Sequence, residues 1–259
     1  MPLQKILFKP GVNKENTRYT NEGGWYEADK VRFRQGNPEV VGGWEPYSAA
    51  TYQGVCRSLW NWVTLGGSNL LGVGTNLKFY INQGGAYNDI TPIRETATLT
   101  NPFVATNGSA TITVTDTSHG ALTGDFVTFS GATGLGGNIT AAVLNAQYQI
   151  LNVINANSYT FTASATANAT DASGSPGGGA SVVAAYQINV GPAIPVPLVG
   201  WGAGAWGQTG TTWGNSGTST SAIRLWNQIN YGEDLVYGPR TGAIYYWNAS
   251  NGVSTRGVL

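Results

Sequence analysis

The chain has 259 residues, among them 37 Gly, 9 Trp and 13 Tyr, and only 10% are charged. Lys, Glu and Leu, the material of exposed helices, are scarce beside Gly, Thr, Ser and Asn, which argues against a helical bundle and for pleated sheets joined by tight turns. Formal net charge is zero, so no bulk attraction to nucleic acid operates, and a lone Cys56 leaves neither a disulfide framework nor a Cys-based metal cluster.

The first residues, MPLQKILFKPG, lack an apolar core long enough for a signal peptide, and no later run approaches a membrane span. Synthesis in a cytoplasm without an export signal, and no membrane partner, are the expectations. Residues 1–45 form an aromatic, basic lead segment carrying Lys5, Lys9, Lys14, Arg18, Lys30, Arg32 and Arg34. Gly11, Gly23 and Gly24 mark loops, and the alternation around Val31 and Phe33 predicts a short strand with Lys30, Arg32 and Arg34 on one face. Trp25, Tyr26, Phe33 and Trp44 are anchors of a type that serves either a subunit interface or the packing of the segment on its own chain. With Lys30, Arg32 and Arg34 they make up the candidate assembly interface.

From Cys56, RSLWNWVTLGGSNLLGVGTNLKFYINQGGAYNDITP reads as strands punctuated by Gly turns, an antiparallel meander within residues 46–95. Similar text returns as IRLWNQINYGEDLVYGPRTGAIYYWNASNGVSTRGVL. Arg57–Asn61 aligns with Ile223–Asn227, Gly66 with Gly232, Leu70-Leu71-Gly72 with Leu235–Gly238, and Leu77–Tyr80 with Ala243–Tyr246. A repeated meander of roughly 40 residues is the unit of a β-propeller. Two units are too few for a ring, so its completion is expected from further sequence or from other subunits.

Between these units, residues 96–190 contain the alternating runs TITVTD, DFVTFSG, YQILNVI and SYTFTAS, and end in the linker-like DASGSPGGGAS. The stretch from Glu95 to Val190 has no Lys or Arg, but has the acids Glu95, Asp116, Asp125 and Asp171. An inserted, mildly acidic β-module is therefore predicted. Residues 191–259 hold the Gly/Trp loop and the second meander. In LVGWGAGAWGQTGTTWGNS, Trp201, Trp206 and Trp213 make either a glycan- or partner-contact loop or an irregular loop pinned by its indoles. The expected fold class is thus all-β: propeller-like antiparallel meanders with an inserted small β-sandwich or β-barrel module.

Catalytic signatures are missing from this text. His119, the only histidine, sits in TSHGALTGD and reads as a turn residue. No HExxH, Walker loop or dinucleotide fingerprint occurs. The carboxylate pairs Glu233-Asp234 and Glu27/Asp29 are not assigned to glycoside hydrolysis; in the first, adjacent strand residues would face opposite sides. No catalytic, cofactor-binding or metal-ligating residue is assigned, and no cofactor is expected.

The text GVNKENTRYTNEGGWYEADKVRFRQGNPEVVGGW, together with GWGAGAWGQTGTTWG and IRLWNQINYGEDLVYGPRTGAIYYW, resembles the packaged-DNA stabilisation proteins of short-tailed phages, the tail hub or nozzle proteins. The central module departs from that family and resembles β-modules recurring in phage tail proteins. The resemblance implies a non-enzymatic virion-tail subunit in a homo-oligomeric ring of six copies around the DNA channel. Its partners would be the portal or adaptor above and the tail fibre or needle below, with DNA passing through without sequence-specific binding. A receptor- or glycan-binding tail module is the alternative, and a polysaccharide depolymerase the remaining one.

Overall fold

The computed structural model describes residues 8–43, 45–171, 174–191 and 224–259, and the chain divides into two compact units, 1–49 and 50–259. In the first unit, β1 (Val31–Arg34) and β2 (Asn37–Val40) form a hairpin. Its turn residues Gln35 and Gly36 both have positive φ, 51° and 83°, the backbone twist that a two-residue hairpin loop requires. Val31 and Phe33 are half-buried, whereas Arg32 and Arg34 are exposed. Lys30 does not join their face. It precedes the strand with φ 55°, and its carbonyl accepts the Val41 N–H at 2.7 Å.

The second unit begins with a meander of β3 (Cys56–Val63), β4 (Asn69–Thr75), β5 (Phe79–Gln83) and β6 (Ala86–Asp89), paired in that order. The chain then enters a module made of β7 (Ile93–Leu99), β8 (Phe103–Val104), β9 (Thr111–Thr115), β10 (Phe126–Ser130), a single helical turn α1 (Ala141–Leu144), β11 (Gln147–Asn155), β12 (Ser158–Thr162) and β13 (Val182–Gln187). These seven strands form one antiparallel sheet in the order β7-β13-β10-β11-β12-β9-β8. The period-two pattern puts Ile112, Val114, Val127, Phe129, Tyr159, Phe161, Val182 and Ala184 inside. Two register shifts in β11, after Ile150 and after Val153, bend it so that it pairs with β10 on one side and β12 on the other. The sheet thus rolls over one core, and its end strands β7 and β8 are consecutive in the chain; it does not close into a barrel.

A third sheet follows: β14 (Trp226–Tyr231), β15 (Asp234–Pro239) and β16 (Tyr245–Trp247). It packs face to face on the first meander over a shared core of Trp62, Leu70, Phe79, Ile81, Ile90, Trp226, Leu235, Tyr237 and Trp247. The approach is possible because β4 presents Gly72 and Gly74. A Cβ at Gly74 would overlap the Trp226 indole, and one at Gly72 the Gln228 amide. Seated there, Trp226 donates from Nε1 to the Thr75 carbonyl at 2.7 Å and lies 4.9 Å from the Phe79 ring, on which Tyr237 stacks at 4.4 Å.

The two meanders meet through opposite faces. Thr64 N donates to Ser68 O, which puts Leu70, Gly72 and Gly74 in the positions whose backbone bonds point back to β3. Arg240 N donates to Leu225 O, which makes Trp226↔Pro239 a non-bonded pair and turns the backbone bonds of Leu235 and Tyr237 forward to β16. In an L-amino-acid strand, reversing that bonding direction reverses the face on which the side chain stands. The cause is turn length. Five residues, 64–68, separate β3 from β4, and two, 232–233, separate β14 from β15. The odd difference shifts the phase, so that Leu70 and Leu235, aligned in sequence, stand on opposite sheet faces. The described residues contain two such meanders and no closed ring of them.

Replacing Trp226 with Ala is expected to lower unfolding free energy by about 3–5 kcal/mol, the usual cost of removing a buried Trp, and Gly74→Val to be similarly harmful. Denaturant titration of the purified chain checks this, and a cost below about 1 kcal/mol for both variants would contradict the shared core.

Candidate assembly interface and the buried polar junction

In the lead unit the aromatic anchors pack among themselves. The Trp25 ring lies 5.8 Å from Phe8 and 6.1 Å from Phe33, edge to face in the latter case, and the Arg18 guanidinium sits 4.8 Å above the Tyr26 ring. Val12 and Trp25 form a parallel bridge, and the buried Asn21 amide donates to the carbonyls of Asn13 and Trp25, both at 3.3 Å. Of the candidate cations, Arg32 pairs across the hairpin with Glu39 at 3.0 Å and Lys30 with its neighbour Asp29 at 3.8 Å. Arg34 is exposed at the hairpin tip. Trp25, Tyr26, Phe33, Lys30, Arg32 and Arg34 therefore belong to one small unit, with the two arginines on its outer side. Trp44 and the loop Trp201, Trp206 and Trp213 lie outside the described residues.

Among the described residues, the buried Lys78 and the half-buried Asp89 and Arg256 converge where the module joins the meanders, a cluster that the sequence did not single out. Asp89, the last residue of β6, receives Lys78 Nζ at 3.0 Å and Arg256 Nη2 at 3.3 Å. Its other oxygen accepts the Thr91 hydroxyl at 2.6 Å and the Thr91 N–H at 2.9 Å. Lys78 also reaches Gln147 of β11 and lies 4.3 Å from the Phe126 ring of β10. With its amide oxygen toward them, Gln187 of β13 accepts from Gln147 at 2.6 Å and from Arg256 at 3.1 Å. The cluster thus ties β5, β6, three module strands and the C-terminal segment together. Burial acts to raise the Asp89 pKa, but Arg256, Lys78 and Thr91 outweigh it and hold the carboxyl below the ordinary range. Burial pushes the Lys78 ammonium down, and Asp89 only partly restores it.

The module's acidity is internal. Asp116, Asp125 and Asp171 are all buried. Asp116 accepts the Tyr186 hydroxyl at 2.5 Å, and Tyr186 in turn meets the Tyr159 hydroxyl at 2.9 Å. Burial raises the pKa of both phenols. Asp125 accepts the Leu122 N–H at 2.9 Å and the Asn189 amide at 2.7 Å. Asp171 accepts backbone N–H groups of Asn138, Ile139 and Asn168, which lower its pKa against the effect of burial. The module's remaining acid, the exposed Glu95, pairs with Arg94 at 3.1 Å.

His119 stands in the connection between β9 and β10, as read from the sequence, and is buried there. Its Nδ1 accepts the Ala121 N–H at 3.0 Å, its Nε2 meets the Asn155 carbonyl at 3.1 Å, and its ring packs edge to face on Tyr159. Glu233 and Asp234 are engaged separately. The Glu233 carboxylate takes the Leu65 N–H, and Asp234 takes the Ala249 N–H at 2.8 Å and the Tyr246 hydroxyl. Among the described residues no cluster of three or more His, Cys, Asp or Glu side chains is placed to hold a metal ion, and no helix is long and apolar enough to cross a membrane.

No family model and no curated protein matches the sequence. Among solved structures, the chain is similar to phage phi92 endosialidase, with a TM-score of 0.30 and 16% identity over 86% of this chain. The match spans 32% of that protein's length, and a likeness this slight carries neither fold nor function.

Asp89→Asn is expected to cost about 3 kcal/mol near neutral pH, the low end for breaking a buried ion pair, because Arg256 keeps contact with water. Because the folded pKa of Asp89 is depressed, its contribution is complete above the ordinary carboxylate value of about 4 and is lost as pH falls through the folded value. Urea titrations of both proteins between pH 7 and pH 3 should therefore converge on the acid side; parallel curves would contradict the assignment.

Proposed function

We propose that this chain is a structural protein of a phage tail, a hub or nozzle subunit that assembles with copies of itself around the DNA channel. The observation that carries the reading is the head-to-tail contact of its two meanders, whose opposite faces meet over Gly72, Gly74 and Trp226. A contact between unlike faces repeats from one unit to the next, as an array of sheets around a channel requires, whereas a like-face contact ends with the pair. The resemblance of the lead text GVNKENTRYTNEGGWYEADKVRFRQGNPEVVGGW to tail hub and nozzle proteins supplies the biological setting.

In this reading the lead unit, with Trp25 and Phe33 inside and Arg32 and Arg34 outside, serves attachment to neighbouring tail proteins at the portal or adaptor. The module, anchored through the Asp89 cluster, projects from the ring toward the distal parts. Retention of packaged DNA follows from the narrowness of such a ring and needs no sequence-specific contact; a chain of zero net charge does not hold the phosphates back as they leave.

Purified virions tested by peptide mass spectrometry and by gold-labelled antibody should contain the protein at the tail, in several copies per particle. Absence from washed particles, combined with a strictly monomeric purified chain, would overturn the proposal.

A further inference from the structure

We infer that the free edge of β3 takes the lead hairpin of a second copy of this chain as an added strand, with β1 running antiparallel along it. β3 is the end strand of its sheet. Because Thr64 N donates to Ser68 O, its bonded pairs with β4 fall at Ser58, Trp60 and Trp62. The N–H and C=O groups of Leu59, Asn61 and Val63 therefore point out of the sheet and meet no backbone partner among the described residues. Elsewhere the chain covers such rims itself. Tyr246 of β16 exchanges two backbone bonds with Val258, and Phe103 of β8 exchanges two with Gly177. β3 has eight residues, no Lys, Pro or acid, and no charge from Ser58 to Val63, so nothing in it deters another strand. On the outer face the sheet is covered as far as β4, where Val73 is 1% exposed, whereas Leu59 and Val63 at the rim are 61% and 57% exposed.

The occupant follows from the hairpin. Val41 N donates to Lys30 O, so β1 bonds to β2 at Arg32 and Arg34, while Val31 and Phe33 of β1 and Pro38 and Val40 of β2 turn their backbone groups outward. Pro38 has no N–H and blunts the β2 side. The β1 side is open, since Val31 and Phe33 have no further backbone partner among the described residues. A hairpin of two four-residue strands is marginal alone and gains from a third strand. Within the chain β1 pairs with β2 and β3 with β4 only, which leaves both open edges for a neighbour. Outward residues must face outward ones, and two antiparallel registers then give two bonded pairs. One sets Phe33 against Asn61 and Arg32 against the buried Trp62. The other sets Phe33 against Leu59 and Val31 against Asn61, and brings Arg32 to the Trp60 indole, which is 38% exposed. The second gives the phenyl ring an apolar partner and the guanidinium an aromatic one, and is the register assigned. Each copy then gives β1 and receives at β3, a heterologous contact that closes into a ring by rotation. This inference rests on the ring reading above and names the strands through which copies join.

The test uses the full chain with Cys56→Ser as background, since Cys56 is the only native thiol. Chains carrying Val31→Cys are mixed with chains carrying Asn61→Cys and oxidised, alongside each chain alone. A bonded antiparallel pair holds its Cα atoms about 5.5 Å apart, within the disulfide range of roughly 4.4–6.8 Å. The expected product is a disulfide-linked pair that forms in the mixture and not from either chain alone, with a ladder of larger species when both cysteines are in one chain. Asn61→Pro removes only an N–H that points away from β4, and should weaken self-association at least about tenfold in mass photometry. Val63→Lys, a charge placed on the exposed rim, should do the same with an unchanged melting temperature, and it reads the edge even where the proline variant fails to fold. A monomer at all concentrations, a 61–61 link, a 31–61 link within one chain, or an assembly indifferent to Val63→Lys would each overturn the interface. A chain present in virions but never linked between copies in this way refutes the interface and leaves the tail reading. A chain that links β1 to β3 between copies but is absent from virions does the reverse.

Discussion

Trp226 lies over Gly74, and Gln228 over Gly72, because β4 has no side chains at those two points. That close approach sets the spacing of the two meanders, and much of the second unit follows from it. It lets Tyr237 stack on Phe79 and its hydroxyl reach the Ile90 carbonyl at 2.6 Å. It also buries Ile188 and Val190, where the chain returns from the module, in the same core as Ile90, where it departs. Ile188 N donates to Pro92 O at 3.0 Å, so the two ends of the insertion are held side by side. An insertion whose ends are fixed together by its host adds little loop-closure cost, whatever its length.

Polar groups do different work on the two sides of this junction. Within the module, buried carboxylates pin loops and phenols one at a time, each satisfied by several donors. Between the module and the meanders a single Asp89 gathers an ammonium and a guanidinium from segments far apart in the chain. An ion cluster is a weaker source of net stability than apolar packing, because desolvation offsets much of the Coulomb energy. Its geometry is demanding, however, and it fixes the orientation of the module in a way that an apolar contact of the same area would not.

The lead unit contrasts with this. Its aromatic side chains are only half covered and its cations pair locally, in exposed bridges that contribute little to stability. A small unit of this kind is suited to take up part of its packing from a neighbour. The outer face of β14–β16 likewise exposes Ile229, Tyr231 and Ile244, apolar surface of a kind common to chains that assemble.

The all-β class, the short strand around Val31 and Phe33, the alternating strands of the module and the repeated meander were legible because each rests on local rules. Period-two alternation, Gly turns and aromatic content act within a few residues of one another. Three features were beyond such rules. The face on which Leu70 and Leu235 stand depends on the parity of a turn, which no alignment of similar words reveals. The acids of the module read only as a mildly acidic composition, yet Asp116, Asp125 and Asp171 turn inward to partners such as Tyr186 and Asn189 that lie far away in the chain. Lys78 and Arg256 carry no local signal of their pairing, and it is the fold that brings Arg256 to the Asp89 that Lys78 also meets. Composition and periodicity determined what kind of elements form, since those are short-range properties. Which faces meet and which charges are buried were decided by contacts between residues tens to more than a hundred positions apart, which only the tertiary structure brings together.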